Sequence, residues 1–203
     1  MVNKLSWSTW DELQQSALRC TACDLGTTRT QVVFGSGPKN VRLVIIGEAP
    51  GAEEDRQGLP FVGRSGALLD RLLNSVGIER AEVYIANVIK CRPPDNRNPS
   101  AREIATCRPF LEAQLEFLRP EIIVPLGNFA TRFILNTKVG ITKLRGQVID
   151  LPAGSMGTPP HLRAVVIPVL HPAAVLRGGK AAFSRAQVDF AVIAQTLSSR
   201  LAS

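Results

Sequence analysis

Four stretches of the chain are almost continuously apolar: 42–46 (RLVII), 82–89 (EVYIANVI), 121–126 (EIIVPL) and 164–170 (AVVIPVL). They are short and rich in β-branched residues, which predicts strands buried on both faces. Between them the hydrophobic period changes to that of a helix. Residues 9–19 place Trp10, Leu13, Ala17 and Leu18 on one face, and Thr9 with Glu12 forms a capping box. Residues 64–76 carry apolar side chains at 68, 69, 72, 73 and 76 and stop at Gly77. Ser100 with Glu103 caps a further helix that aligns Ile104, Cys107, Leu111, Leu115 and Leu118. One helix runs from Asn128 to Leu135, and another from about Phe183 to Leu201. Residues 141–151 read as a bent strand or hairpin arm, and GSMGTPP (154–160) as a surface turn.

Strands alternating with helices predict a parallel sheet with helices on both faces. The expected architecture is a three-layer α/β/α sandwich around a central four-stranded parallel sheet. It forms one domain over 1–203, in which 1–25 supplies a helix and a cysteine-bearing segment. In such sheets ligands bind beyond the carboxyl ends of the strands. Glu48, Asn87, Asn128 and His171 follow or end the four predicted strands, so they should share one rim.

The net charge of +7, with an isoelectric point of about 9.7, favours a polyanionic partner. The basic residues recur in loops (Arg92 and Arg97, Lys143 and Arg145, Arg177, Lys180 and Arg185), which favours a folded basic face over a tail. No apolar stretch is long enough to span a bilayer, and MVNKLSWSTW lacks the apolar core of a signal peptide. A cytoplasmic protein is expected. Cys20 and Cys23 form C-x2-C, and fifteen residues separate Cys91 from Cys107. In a cytosolic chain this arrangement points to a metal site rather than disulfides. The blander alternative is two buried thiols and an incidental pair. Spacing alone suits zinc as well as iron–sulfur.

The first strand ends in VIIGEAPG (44–51). Pro50 fixes its own φ and pushes Ala49 into an extended conformation, while Gly47 and Gly51 permit turns. The result is a stiff loop carrying Glu48. Phe61 can stack on a flat ligand, and the Asn87 amide can pair with a lactam edge. His171 places an imidazole at the sheet edge. Singly, these are an ordinary turn, a core phenylalanine, a turn asparagine and a buried or capping histidine. Together they describe a slot for a planar, uncharged heterocycle.

The segments GEAPGAEEDRQGLPFVGRSGALL (47–69), NVIKCRPPDNRNP (87–99), CRPFLEAQL (107–115), IIVPLG (122–127), ITKLRG (141–146) and HPAAVLR (171–177) resemble the family 4 uracil-DNA glycosylases. These form the iron–sulfur branch of the uracil-DNA glycosylase superfamily. The resemblance runs from about Cys20 to the end. It implies a base-excision repair enzyme that flips uracil out of single- or double-stranded DNA and hydrolyses its N-glycosidic bond. By the family's pattern Phe61 stacks on uracil, Asn87 bonds its O4 and N3–H edge, and the backbone around Glu48, Ala49 and Pro50 completes the pocket. His171 donates to O2 of the departing anion, and Glu48 positions water or balances sugar charge. Family 1 has a water-serving aspartate where this chain has Ala49, and a thymine-excluding tyrosine where it has Gly51. Glu54 is then expected to exclude the thymine methyl. Val175 or Leu176 would fill the gap left by the flipped base, and Arg177 would hold phosphate. Cys20, Cys23, Cys91 and Cys107 would bind a 4Fe-4S cluster. A monomer associated with the nucleoid is expected.

Two other readings compete. A related branch becomes covalently trapped on DNA through a histidine-containing insertion, but KCRPPDNRNP has no histidine. A DNA-binding module that has lost catalysis would not need Glu48, Asn87 and His171 together.

Overall fold

The computed structural model describes residues 7–152 and 158–200. Residues 154–157 of the expected GSMGTPP turn, and Leu201, lie outside the described residues. The sheet contains β1 (Leu43–Gly47), β2 (Tyr84–Asn87), β3 (Ile122–Pro125), β4 (Ile149–Asp150) and β5 (Val165–Val166), in the order β2-β1-β3-β5-β4. The four expected strands are parallel neighbours. The sheet is five-stranded rather than four-stranded, because β4 adds antiparallel to β5 with Ile149 opposite Val166. The expected strand or hairpin arm at 141–151 therefore divides. Its first part is the short helix α7 (Ile141–Leu144), and only its last residues pair in the sheet. Ile141 and Leu144 share a face at helical spacing, and Asn128 Oδ1 accepts from the Ile141 N–H at 2.8 Å.

The helices in chain order are α1 (Trp10–Leu18), α2 (Leu25–Thr28), α3 (Ala52–Gln57), α4 (Arg64–Asn74), α5 (Ala101–Leu118), α6 (Gly127–Leu135), the α7 already given, α8 (Pro172–Arg177) and α9 (Gly179–Ser199). Alternation along β1 divides the core. Leu43 and Ile45 face Leu68, Leu69, Leu72 and Leu73 of α4 and Phe190 of α9. Val44 and Ile46 face Leu111 and Leu115 of α5 and Ile134 of α6. Leu72 is fully buried, and Leu72→Ala would cost about 2–5 kcal/mol. A third cluster of Leu13, Ala17, Phe34 and Phe110 fastens α1 to α5. The Ser100–Glu103 capping box forms fully. At α1 Thr9 caps Glu12, but the Glu12 carboxylate turns to the Ser8 N–H instead of completing the box. No helix among the described residues is long and apolar enough to cross a membrane.

The connection from β1 to β2 runs through α4 on one face, and that from β2 to β3 runs through α5 on the other. The direction of winding thus switches between β1 and β3. The crevice beyond their carboxyl ends is where such sheets bind ligands.

Candidate active site and cysteine pocket

Gly47 ends β1 directly opposite Asn87, the last residue of β2. A Cβ at Gly47 would collide with Asn87 Oδ1 and stand 2.8 Å from the Phe61 ring. Only glycine lets these two side chains close over the strand end. The GEAPG loop is then zipped to the chain beyond β2, since Val88 N–H donates to Gly47 O at 2.9 Å and Ile89 N–H to Glu48 O at 3.2 Å. Ala49 is half-buried in the second core cluster and Pro50 is buried.

Asn87 is 1% exposed, and its Oδ1 is a buried acceptor without a partner among the described residues. Leaving such an atom bare costs about 1–3 kcal/mol. Phe61 is buried in a left-handed conformation (φ 52°), its ring centroid 6.0 Å from that of His171. Its loop is held from two sides. Glu54 Oε1 accepts from the Val62 and Gly63 N–H groups at 3.1 and 3.2 Å, and Arg80 donates to Pro60 O at 2.6 Å. The other Glu54 oxygen fills the space beside Gly51, 2.7 Å from where a Cβ would stand.

His171 caps α8. Its Nδ1 accepts from the Ala173 N–H at 3.2 Å, so the neutral ring carries its proton on Nε2. Burial pushes its pKa below the ordinary histidine value and the Arg177 cation adds to this, with Glu54 opposing. Gly127 (φ 82°) lets the end of β3 approach closely, for a Cβ there would lie 2.9 Å from His171 Cβ. Burial raises the pKa of Glu48. Glu48, His171, Gly127 and Asn128 line a cleft of about 650 Å³ that continues between α5 and α6 past Arg108 and Arg132. Phe61 and Asn87 are not among its walls.

In α8 the two candidate wedge residues separate. Val175 is 2% exposed and packs in the core, whereas Leu176 is 40% exposed beside the exposed Arg177.

All four cysteines line one small pocket between α1, α2, the chain after β2, and α5. Arg29 Nη1 donates to Cys91 Sγ at 3.4 Å, and Lys90 N–H to Cys107 Sγ at 3.3 Å. Burial pushes the Cys107 thiol up to about 12 and raises Cys91, with Arg29 opposing at Cys91. Lys90 is drawn down to about 8 by burial, against the pull of Cys107 and Cys91. Among the described residues no group of three Cys, His, Asp or Glu is arranged to hold one metal ion.

Asn87 and His171 thus stand at the carboxyl edge of the sheet with Phe61 beside them, and Glu48 and His171 open onto the cleft. The family model described as the uracil DNA glycosylase superfamily matches residues 34–194. The type-4 uracil-DNA glycosylase of Thermotoga maritima is 49% identical over 160 residues, which cover 78% of this chain and 79% of that protein. That of Archaeoglobus fulgidus is 42% identical over 170 residues, 82% of each. That of Sulfurisphaera tokodaii is 38% identical over 172 residues, 82% of this chain and 75% of that protein. The chain belongs to the uracil-DNA glycosylase superfamily.

Proposed function

We propose that this chain hydrolyses the bond between uracil and deoxyribose in DNA, releasing uracil and leaving an abasic site. The bare acceptor at Asn87 carries this reading. Uracil offers N3–H to Oδ1 and O4 to the amide, whereas cytosine presents an acceptor at N3 and a donor at C4. Phe61 covers the ring of the flipped base, and the backbone of Glu48, Ala49 and Pro50 forms the wall.

As the C1′–N1 bond breaks, its electron pair leaves with uracil as an anion. His171 Nε2–H donates to O2, where the charge gathers, and the neutral tautomer is held by Ala173 before the reaction begins. Water adds its oxygen to C1′, whose oxocarbenium character faces the carboxylate of Glu48, and its displaced proton passes to the uracil anion or to solvent. Glu48 has the cleft position this requires, and no basic residue in that loop pairs with it. Glu54 excludes the thymine methyl. Its carboxylate occupying the space beside Gly51 supports that role.

On the DNA side, Leu176 fills the gap in the stack and Arg177 holds phosphate. The exposure of both supports this, and the burial of Val175 leaves it in the core. The four thiols fit a 4Fe-4S cluster. Each thiolate of such a cluster binds a different iron, so the sulfurs surround a pocket instead of converging on one ion. Buried thiols with raised pKa values need a cationic partner to ionise, and N–H groups already point at two of the sulfurs. Cys20 and Cys23 after α1, Cys91 in the loop and Cys107 on α5 would hold such a cluster, which would tie these segments together and would supply no electron to excision.

The test is single-turnover excision from matched oligonucleotides bearing one uracil or one cytosine, single-stranded and paired. Alkali-labile sites at uracil alone are expected. Binding without cleavage would overturn the reading in favour of a non-enzymatic module.

A further inference from the structure

Lys90 is 2% exposed, and its neighbours in sequence give no sign that it should be buried. An ammonium there must be paired to be tolerated. Its Nζ donates to the backbone carbonyl of Asn87 at 2.9 Å and to Gln114 Oε1 at 2.5 Å. Gln114 is 1% exposed and lies two helical turns beyond Cys107 on α5. Its amide nitrogen reaches Phe34 O at 2.9 Å and the Tyr84 hydroxyl at 3.1 Å. The Lys90 backbone is also committed, with its N–H on Cys107 Sγ and its C=O accepting from Val33 N–H at 2.8 Å.

These bonds run in two directions. One set reaches α5 and the cysteine pocket, and the other reaches the peptide group of Asn87. Beyond Asn87 the chain leaves the regular ladder to follow the GEAPG loop, and Nζ takes the Asn87 carbonyl there. It thereby fixes the peptide plane from which the Asn87 side chain projects. Base recognition is sensitive to such placement, since an error of about 1 Å in a reacting geometry can cost about 10²-fold.

We propose that Lys90 is a positioning residue for base recognition: it ties the Asn87 backbone to Gln114, and so couples the cysteine-bearing helix α5 to the edge that reads uracil. The proposal rests on Asn87 reading that edge.

A double-mutant cycle on iron-loaded protein tests it. Inhibition by free uracil is measured for the parent, Lys90→Met, Asn87→Ala and the double variant, with iron per chain and thermal midpoint recorded for each. Lys90→Met is expected to weaken uracil inhibition about tenfold in the parent and less than about twofold in the Asn87→Ala background, at unchanged iron content. A purely structural lysine would weaken both backgrounds equally, or shift only the thermal midpoint, and either result overturns the proposal. If Asn87→Ala leaves uracil inhibition unchanged, the reading of Asn87 itself fails. If Asn87→Ala loses inhibition and Lys90→Met does not, only the role of Lys90 fails. Should Lys90→Met not load iron, Gln114→Leu enters the same cycle, where about a threefold loss that vanishes with Asn87→Ala is expected. Equal losses in both backgrounds would again overturn the coupling.

Discussion

The rim pocket and the cysteine pocket meet at residues 87–91, and they treat their polar groups in opposite ways. At Asn87 the backbone carbonyl is engaged and the side-chain acceptor is left bare. At Cys91 and Cys107 the sulfurs already receive N–H donors, while burial opposes their ionisation. A bare acceptor suits a neutral ligand that comes and goes. Buried thiols that cannot ionise alone suit a cationic group that stays. Damage to the rim should therefore appear in rate and selectivity, and loss of a cysteine in iron content and stability, with Lys90 as the link between the two regions.

The sharpest break is His171→Ala. It removes one preset donor to the leaving anion and should slow single-turnover excision by about 10²–10³. Iron per chain should remain that of the parent. A parent-like rate would remove His171 from leaving-group stabilisation. Cys91→Ser is the counterpart. It should lower iron per chain and the thermal midpoint, while the rate per iron-loaded chain stays within about threefold of the parent, because Cys91 lines the cysteine pocket and not the cleft of Glu48 and His171. A loss of rate at full iron content would show that the two regions are not separable in this way.

Selectivity comes next. Glu54→Ala opens the space beside Gly51, and one methyl in a pocket is worth about 10–200-fold in discrimination. Excision of thymine opposite guanine should rise relative to uracil by about tenfold or more. The same variant frees the Val62 and Gly63 amides, so uracil excision should also fall as Phe61 loosens. Glu54→Gln keeps both the bulk and one acceptor and should preserve rejection. Full rejection of thymine by Glu54→Ala would place the wall elsewhere.

A smaller effect follows from the buried imidazole. The folded pKa of His171 lies below the ordinary 6.5. Between those two values the unfolded chain takes a proton that the folded chain refuses. The contribution of His171 is thus fully present above 6.5 and is lost as pH falls through this window. Urea midpoints measured from pH 7 downward should fall less steeply for His171→Gln than for the parent. Identical slopes would mean that the histidine is not held neutral.

The two regions were also unequally legible. β1, α4 and α5 follow from hydrophobic period because each buries a long, regular face. The rim residues follow from topology, since every predicted strand end had to contribute to one edge. β4 is too short to show any period. α3 lacks an apolar face, so hydrophobic period does not reveal it, and only the resemblance singled out Glu54. The helix is set between Gly51 and a left-handed Gly58, and Glu54 turns inward to the Phe61 loop. Four cysteines announce a shared site, but not the lysine behind them. Lys90 stands in a stretch that reads as a basic loop, and Gln114 is one polar position on an otherwise regular helix. Their burial emerges only from packing.

The smallest effects come from the exposed end of α8, where adjacent aliphatics differ only in burial. Val175→Ala removes core volume and should cost about 1–2 kcal/mol of stability with no preference for DNA form. Leu176→Ala removes an exposed side chain, so stability should hold while excision from paired DNA falls a few-fold more than from single strands, since only a duplex leaves a gap to fill. Arg177→Ala should weaken binding to every sequence alike, and the slope of log affinity against log salt should drop by about 1, the value for one lost phosphate contact. The three variants form a graded series along one short helix: stability alone, then strand form, then salt. Equal losses for Leu176→Ala on both DNA forms would reject the wedge, and an unchanged salt slope in Arg177→Ala would reject the phosphate contact. Both results together would move the DNA face away from α8, toward the Arg108 and Arg132 side of the cleft.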